Sequence, residues 1–356
     1  MAKMILAINP GSTSTKIAVY KDGNELFTKT LRHSNEELAP FSHVADQLEF
    51  RKETIKCALK ENGVALSDLN IIVGRGGLVR PLPSGVYKVN ARMIADIASG
   101  ERGEHASNLG AMIARELADE AGGIMAIIAD PVVVDELEPL ARVTGHPAFR
   151  KISIFHALNQ KSIAKLYARE HGRKYDELNL IVAHLGGGIS VGIHKKGKVV
   201  DVNDALSGEG PFSPERSGSL PAAQLMDACF SGKYTKDELK KMISGKGGVV
   251  AYLGTNSFQE VERRAAEGDK QARLISDAFA YRLAKEIGAM ATVVCGKVDA
   301  IILTGGIAYN KELMEAVERR VSFIAPVSVY PGEDEMGALA QNGLNVLEGI
   351  EEAKEY

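Results

Sequence analysis

Two stretches of the chain place small residues in a turn between two strand-like segments, and both suit phosphate binding. Glycines and small residues leave backbone N–H groups uncovered, and such amides can form a concave site for anions. The residues that could act there are Asn9, Ser12, Ser14 and Lys16 in the first turn and His184, Gly186, Gly187 and Gly188 in the second. Either turn alone could be an ordinary tight hairpin, so the case depends on the two occurring together.

The segments around these turns repeat. The apolar run Leu180–Ala183 predicts a buried strand, and Met4–Ile8 has the same character. Each turn is followed by a second strand, a glycine turn and a third strand, and aligning Lys16 with Ser190 also aligns Gly23 with Gly197. Such a long-range repeat predicts a duplicated unit. We therefore expect two similar domains facing one another across a cleft, each with a phosphate-binding turn.

Two charged residues follow predicted buried strands, where open α/β sheets build their sites. Arg75 follows Ile71–Val73 and lies among glycines, and Asp130 follows Gly123–Ala129. Arg75 could also be a solvated loop residue. A carboxylate at a strand end can hold a metal or its waters, but Asp130 could equally cap the next turn.

Further motifs follow in the second half of the chain. Arg216 lies in a long loop rich in Gly, Pro and Ser, and loops of this length in compact domains are often functional. The segment from Asp299 to Asn310 predicts a strand that enters a glycine turn and then a helix, and Gly305 and Gly306 there carry no Cβ that would keep a ligand away from the backbone. An acidic turn with Asp334 and Glu335 precedes the last predicted helix, and acidic residues there would also suit the helix dipole alone.

With these motifs in this order along essentially its whole length, the chain resembles the superfamily of acetate and sugar kinases, Hsp70 and actin, and within it the acetokinase family. The resemblance implies an α/β fold of two duplicated actin-like (ribonuclease H-like) domains, each with a mixed central sheet, and an interdomain cleft. We expect residues 1–150 plus 335–356 to form an N-terminal domain on the acyl substrate side, to which the last helix returns. Residues 151–334 would form a C-terminal domain that binds the nucleotide and makes the dimer contact.

The same resemblance implies a reaction in which ATP phosphorylates a short-chain carboxylate, giving an acyl phosphate and ADP with the help of Mg²⁺. A carboxylate with a pKa of roughly 4 to 5 is already ionised at neutral pH, so no general base is needed. The site would therefore position the reactants and neutralise charge during in-line transfer. The resemblance assigns catalysis to Arg75, Arg216, His156, Asp130 and Asn9, although a histidine beside apolar residues is often only a core residue.

Other roles follow from the resemblance in the same way. Nucleotide binding is assigned to Ser12, Ser14, Lys16, His184, Gly186, Gly187, Gly188, Gly305, Gly306, Ile307 and Asn310. The acyl pocket is assigned to Gly76, Gly77 and Phe155. Mg²⁺ is assigned to Asp130 and to Asp334 or Glu335, directly or through water. His105 resembles another histidine of the family, but the local spacing differs and it could simply cap or orient.

Gly76 and Gly77 stand where bulky apolar residues line the pocket in the family. Missing side chains predict a roomier pocket and a substrate longer than acetate. We therefore expect butyrate, with acetate, propionate and branched acids such as isobutyrate as alternatives. A protein of another class, an actin-like or Hsp70-like ATPase with an assembly role, is a more remote alternative.

Composition excludes several classes. The net charge of -3, with charges of both signs mixed along the chain, gives no basis for nucleic-acid binding. The three cysteines are scattered and form no C-x-x-C pair, so neither a disulfide framework nor a zinc site is expected. No apolar stretch approaches the ~20 residues of a membrane helix, and the N-terminal apolar run is too short for a signal peptide.

Two common nucleotide-binding motifs are missing from the sequence. It contains neither a P-loop nor a Rossmann G-x-G-x-x-G after the first strand. From the composition and the resemblance, we expect a cytoplasmic protein that forms a homodimer or a larger homo-oligomer.

Overall fold

The computed structural model describes residues 2–356, which divide into two compact units. Unit 1 comprises residues up to Val134 together with Asp334–Tyr356, and unit 2 comprises Asp135–Glu333. The first division falls before the predicted boundary at residue 150. The reason is that the segment after Asp135 bonds within unit 2, as when the N–H of Glu138 donates to the carbonyl of Val200.

The regular elements are numbered in chain order. The strands are β1 Met4–Pro10, β2 Ser14–Lys21, β3 Asn24–Arg32, β4 Ile71–Arg75, β5 Val86–Lys88, β6 Met125–Ala129, β7 Asn179–Leu185, β8 Ile189–Lys195, β9 Lys198–Val202, β10 Ala300–Gly305 and β11 Val327–Pro331. The helices are α1 Asn35–Leu38, α2 Leu48–Glu61, α3 Ala91–Ala98, α4 Asn108–Glu120, α5 Ala157–Glu170, α6 Ala222–Phe230, α7 Lys236–Ile243, α8 Gly248–Leu253, α9 Phe258–Ala266, α10 Lys270–Val293, α11 Lys311–Val321 and α12 Glu335–Leu347.

The sheet of unit 1 has the order β3-β2-β1-β4-β6-β5. The first three strands form an antiparallel meander, whereas β4 runs parallel to β1 and β6 parallel to β4. The inner strands β1, β4 and β6 are largely buried and apolar because helices cover both faces of the sheet there. Gly74 allows close contact with Gly110 of α4, and Gly343 allows α12 to approach Val73. Because neighbouring strand residues point to opposite faces, α4 and α12 lie on opposite sides of β4.

The sheet of unit 2 has the order β11-β10-β7-β8-β9. Strands β7, β8 and β9 form an antiparallel meander, β10 runs parallel to β7, and β11 runs parallel to β10. This is the order and direction of β6-β4-β1-β2-β3 in unit 1. The predicted duplication and the two mixed sheets of the expected fold class are therefore confirmed. The long helix α10 packs its apolar side on the core of this unit, which includes Phe279, Leu283 and Ile287.

One helix predicted from the sequence is divided in the structure. The spacing of apolar residues from Leu38 to Leu59 predicts a continuous helix, but the structure has the short α1 and a separate α2. Ser34 does begin α1 with a reciprocal capping box involving Glu37. Pro40 lies two residues after the end of α1, and proline cannot donate the hydrogen bond that would continue the helix. Throughout residues 2–356, no helix has the length and apolar character needed to cross a membrane.

Candidate functional site

The first turn predicted to bind phosphate joins β1 to β2, and Arg51 of α2 donates hydrogen bonds to it. The Arg51 guanidinium donates to the carbonyls of Gly11 at 2.8 Å, Ser14 at 3.0 Å and Ser12 at 3.0 Å. It also donates to the hydroxyl of Thr15 at 3.1 Å. Arg51 is fully buried, and this burial lowers its pKa. A single cation therefore fixes three carbonyls of the turn on one side.

Arg51 is not among the site residues predicted from the sequence, because it lies in no glycine-rich turn or other functional motif. A signal was nevertheless present: Arg51 lies four residues before Ile55 and eight before Leu59, on the buried face of α2. A cation at such a position needs acceptors close by. The predicted turn residues Ser12 and Lys16 are exposed, and Ser14 is half-buried.

Three predicted site residues meet at one end of the unit 1 sheet. Arg75 Nη1 lies 3.2 Å from Asn9 Oδ1 and 3.2 Å from Glu335 Oε2, and Asn9 Nδ2 donates to the same Glu335 oxygen at 2.5 Å. The register explains the meeting, because β1 and β4 are parallel neighbours whose paired residues include Ile8 and Gly74. Asn9 and Arg75 therefore leave adjacent strands at the same level, where α12 begins with Glu335.

The other two candidate metal ligands have different environments. Asp130 is buried, and its Oδ1 accepts from the Ser84 hydroxyl at 2.6 Å and the Gly85 N–H at 2.9 Å. Its φ of 36° lies in the left-handed region that non-glycine residues seldom adopt. Asp334 caps α12 by accepting from the Gly337 N–H at 2.8 Å. In residues 2–356, no group of three or more His, Cys, Asp or Glu side chains is arranged to hold a metal.

Gly76 and Gly77 are closely packed, which differs from the expected open pocket. A Cβ on Gly76 would lie 2.5 Å from the Cβ of Pro131, and one on Gly77 would lie 2.6 Å from the Cα of Asn108. The Asn108 side chain also accepts from the N–H of Leu78 at 2.8 Å. The two glycines therefore allow the chain to approach its neighbours closely, and the inference of extra room at these positions does not follow.

In unit 2, the long predicted loop brings Arg216 to the triple-glycine turn. A Cβ on Gly188 would lie 1.7 Å from Arg216 Nη1, so the guanidinium lies directly against the turn. Arg216 Nη1 donates to the carbonyl of Ala205 at 2.6 Å, and the Ser213 hydroxyl donates to the carbonyl of Gly187 at 2.6 Å. Burial lowers the pKa of Arg216, but a guanidinium starts so high that it stays charged.

Two predicted histidines lie beside this turn. The rings of His156 and His184 stack with their centroids 4.3 Å apart. His184 is the buried, next-to-last residue of β7, and its Nε2 lies 3.3 Å from Glu333 Oε2. Its buried Nδ1 has no hydrogen-bond partner among the described residues. A buried polar atom without a partner beside a glycine turn suits a site that binds a polar ligand. Phe155, the predicted pocket residue next to His156, is buried.

The glycine turn after β10 shows why two glycines are present. Gly305 has φ 95°, and a Cβ there would lie 2.4 Å from the carbonyl oxygen of Leu185. A Cβ on Gly306 would meet nothing within 4 Å, so the backbone there is open to a ligand. Ile307 is buried, whereas Asn310 caps α11 by accepting from the Leu313 N–H at 2.8 Å. Asn310 thus has a structural task beside its predicted nucleoside contact.

These features define a kinase-like protein with one cationic site in each of two duplicated α/β units. The model of the acetokinase family matches residues 147–329, more than half of the sequence, and the chain belongs to that family. The membership predicted from the sequence motifs is confirmed.

Its curated relatives match over almost the whole chain. It is 56% identical to butyrate kinase 2 of Clostridium acetobutylicum and 57% identical to butyrate kinase 1 of the same organism, each over 99% of both sequences. Among solved structures, it is similar to the acetate kinase of Porphyromonas gingivalis, with a TM-score of 0.81, 20% identity, and coverage of 97% of this chain and 100% of the other. At that identity the structural likeness supports the fold alone, and it confirms the expected fold class.

Proposed function

We propose that the protein phosphorylates butyrate with ATP, giving butyryl phosphate and ADP. The observation that carries the proposal is the full-length identity of more than half to two butyrate kinases. The geometry is compatible with it, because each unit presents an arginine beside a turn suited to phosphate. Other short-chain acids are the second candidate, since the family model that matches the chain is that of the acetokinases.

The reaction needs no proton transfer. A carboxylate oxygen of butyrate attacks the γ-phosphorus of ATP in line, the bond from that phosphorus to the β,γ-bridging oxygen breaks, and ADP leaves with the electron pair. Because the carboxylate is already ionised at neutral pH, the protein's task is to align the reactants and to balance negative charge. Such preorganised stabilisation of charge is often the main source of an enzyme's rate enhancement.

The residues divide this work. We assign Arg75 to the carboxylate and the transferring phosphoryl group, and Arg216 and His156 to the equatorial phosphoryl oxygens. The turns that contain Ser12 and Gly187 would hold the ATP phosphates, and the segment at Gly306 the adenosine.

The proposal assigns Mg²⁺ to acidic residues of unit 1. Mg²⁺ is commonly held by one or two carboxylates together with substrate phosphates and water, so a cluster of three protein ligands is not required. We propose that Asp130 and Glu335 hold it, with Asp334 as the alternative to Glu335. When bound, Mg²⁺ supplies charge neutralisation on the phosphate chain.

The proposal also concerns the assembled protein. Helix α6 has no buried residue, and Met226 and Phe230 are 56% and 86% exposed. Exposed apolar residues on one helix favour a partner surface, and we propose a homodimer or larger homo-oligomer formed through unit 2. Because ATP is an intracellular metabolite, we also propose a cytoplasmic location. Analytical ultracentrifugation of the wild type and of Phe230→Glu would test the oligomer.

Acyl phosphate formation tests the central proposal. The purified protein would be supplied with MgATP and straight acids of two to five carbons plus isobutyrate, and the product trapped with hydroxylamine. A kcat/KM that peaks at butyrate supports the assignment. A peak at acetate would retain the reaction and reject the substrate, and the absence of acyl phosphate from every acid would overturn the function.

A further inference from the structure

A chain of buried polar side chains leads away from His156 into unit 2. His156 Nδ1 lies 2.8 Å from Ser190 Oγ, and Gln160 Nε2 lies 2.8 Å from the same hydroxyl. Gln160 Oε1 lies 3.0 Å from His194 Nε2, and His194 Nδ1 lies 2.7 Å from the hydroxyl of Tyr175. Ser190, Gln160 and His194 are completely buried.

The sequence builds this chain from two simple periodicities. Ser190 and His194 are four residues apart in β8, so they share one face of the strand with Gly192 between them. Gln160 lies four residues after His156, one helical turn into α5. A Cβ on Gly192 would lie 2.6 Å from Gln160 Oε1, so this glycine makes the space in which the amide lies.

The acceptors and donors fix the direction of each hydrogen bond. Gln160 Nε2 also lies 3.0 Å from the backbone carbonyl of Ser190, which can only accept, so this atom must be the amide nitrogen. Gln160 Oε1 is then an acceptor, and His194 Nε2 must carry the proton. Burial, and secondarily the charge of Lys161, holds the pKa of His194 well below its usual value. His194 is therefore neutral, and its bare Nδ1 accepts from the Tyr175 hydroxyl.

The protonation of His156 follows from the hydroxyl of Ser190. This hydroxyl accepts from the Gln160 amide and, at 3.4 Å, from the backbone N–H of His156. Its own hydrogen has one acceptor within reach in the described part of the chain, His156 Nδ1. If Nδ1 carried a proton, a fully buried hydroxyl would be left without an acceptor, which is unfavourable.

We propose that Ser190, Gln160 and His194 are positioning residues that fix His156 in the neutral Nε2–H tautomer. The ring then offers its Nε2–H as a donor, the form required of a group that stabilises phosphoryl oxygens. The stacked ring of His184, 4.3 Å away between centroids, holds the His156 ring against rotation. The catalytic part of this inference rests on the proposed function, whereas the tautomer does not.

Nitrogen NMR of the full-length protein tests the tautomer without substrate. Histidine ring nitrogens would be labelled with ¹⁵N, and the His156 signals identified by their loss in His156→Asn. We expect a bare Nδ1 and a protonated Nε2 for His156 and for His194. His171 is an internal control, because its Nδ1 lies 2.9 Å from the backbone carbonyl of Tyr167 and must be the protonated nitrogen there. An Nδ1–H tautomer of His156 in the wild type would overturn the proposal.

Variants then connect the tautomer to turnover. Ser190→Ala should give mixed His156 tautomers and lower kcat about tenfold or more, toward the loss of about 10²–10³ seen when one preorganised donor is removed. The KM for ATP should change little, and Ser190→Thr, which keeps the hydroxyl, should restore the tautomer. Gln160→Met, of similar volume, is the second variant in case Ser190→Ala fails to fold.

The outcomes separate the two proposals. The proposed positioning role would be overturned if folded Ser190→Ala or Gln160→Met kept the wild-type tautomer and kcat. A loss of kcat without a change of the His156 tautomer would overturn it as well. If the wild type forms no acyl phosphate, the proposed function fails. The NMR result still decides whether Ser190, Gln160 and His194 set the tautomer of His156.

Discussion

The guanidinium of Arg216 occupies the space that a side chain at Gly188 would need. A Cβ at Gly188 would lie 1.7 Å from Arg216 Nη1 and 2.5 Å from Cζ. The glycine turn between β7 and β8 is thus more than a source of bare amides. It also forms the surface on which Arg216, the proposed catalytic arginine, lies. The position of the Arg216 guanidinium therefore depends on residue 188 being glycine.

Replacing Gly188 with alanine should therefore act through Arg216. We expect Gly188→Ala to lower kcat by about 10²–10³, close to the effect of Arg216→Ala, because a charge donor at the developing negative charge is displaced. The matched comparison is Gly187→Ala, whose Cβ would have its nearest neighbour, Glu215 Oε2, at 3.9 Å. Steady-state kinetics of acyl phosphate formation would measure both. Equal losses in the two variants would show that the turn, rather than the arginine, is being disturbed.

Arg51 should matter for both stability and ATP binding. Arg51→Met removes a donor from the carbonyls of Gly11, Ser12 and Ser14, of which that of Ser14 still accepts from the Gly11 N–H, so the free energy of unfolding should fall by about 1–3 kcal/mol. The KM for ATP should rise because the phosphate turn loses its support. Urea unfolding and initial rates would measure the two effects. Arg115→Met, at an exposed pair with Asp119, is the control and should change little. An Arg51→Met protein of wild-type stability and KM would contradict the proposed support.

The sequence predicts local features of this fold better than contacts between distant elements. The repeat that aligns Lys16 with Ser190 predicted the duplicated sheet order, because strand and turn signals are local. Arg51, Gln160 and His194 were not recognised, since their roles arise from contacts between elements distant in sequence. The expectation of extra room at Gly76 and Gly77 was wrong. The sequence shows that side chains are missing there, but it does not show that atoms of Pro131 and Asn108 fill the space.

The buried His194 predicts a specific pH dependence of stability. Its folded pKa is lowered, so above the unfolded value of about 6.5 the ring is neutral in both states and the full stability is present. Below that pH the unfolded chain binds a proton that the folded chain resists, and stability is lost by up to about 1.4 kcal/mol per pH unit. Urea unfolding between pH 5 and 8 should show this loss in the wild type and a smaller loss in His194→Gln.

A second histidine provides the control for that experiment. His146 is exposed in unit 2, and His146→Gln should keep the wild-type pH dependence. If His194→Gln and the wild type lose stability in parallel as the pH falls, His194 does not resist protonation in the folded state.

Glu335 and Asp334 are adjacent acids with different surroundings, which allows the metal assignment to be tested. Glu335 Oε2 accepts from Asn9 and lies beside Arg75, whereas Asp334 caps α12. We expect Glu335→Gln to lower kcat about tenfold or more and to raise the Mg²⁺ concentration needed for half-maximal rate, because it removes the negative charge that balances Arg75 and would face the metal. Asp334→Asn keeps a side chain that caps helices equally well, so its effect should be small. Titration of Mg²⁺ at fixed ATP would compare the two variants. A larger Mg²⁺ requirement in Asp334→Asn than in Glu335→Gln would move the metal to Asp334 and leave Glu335 as the residue that holds Arg75 and Asn9 together.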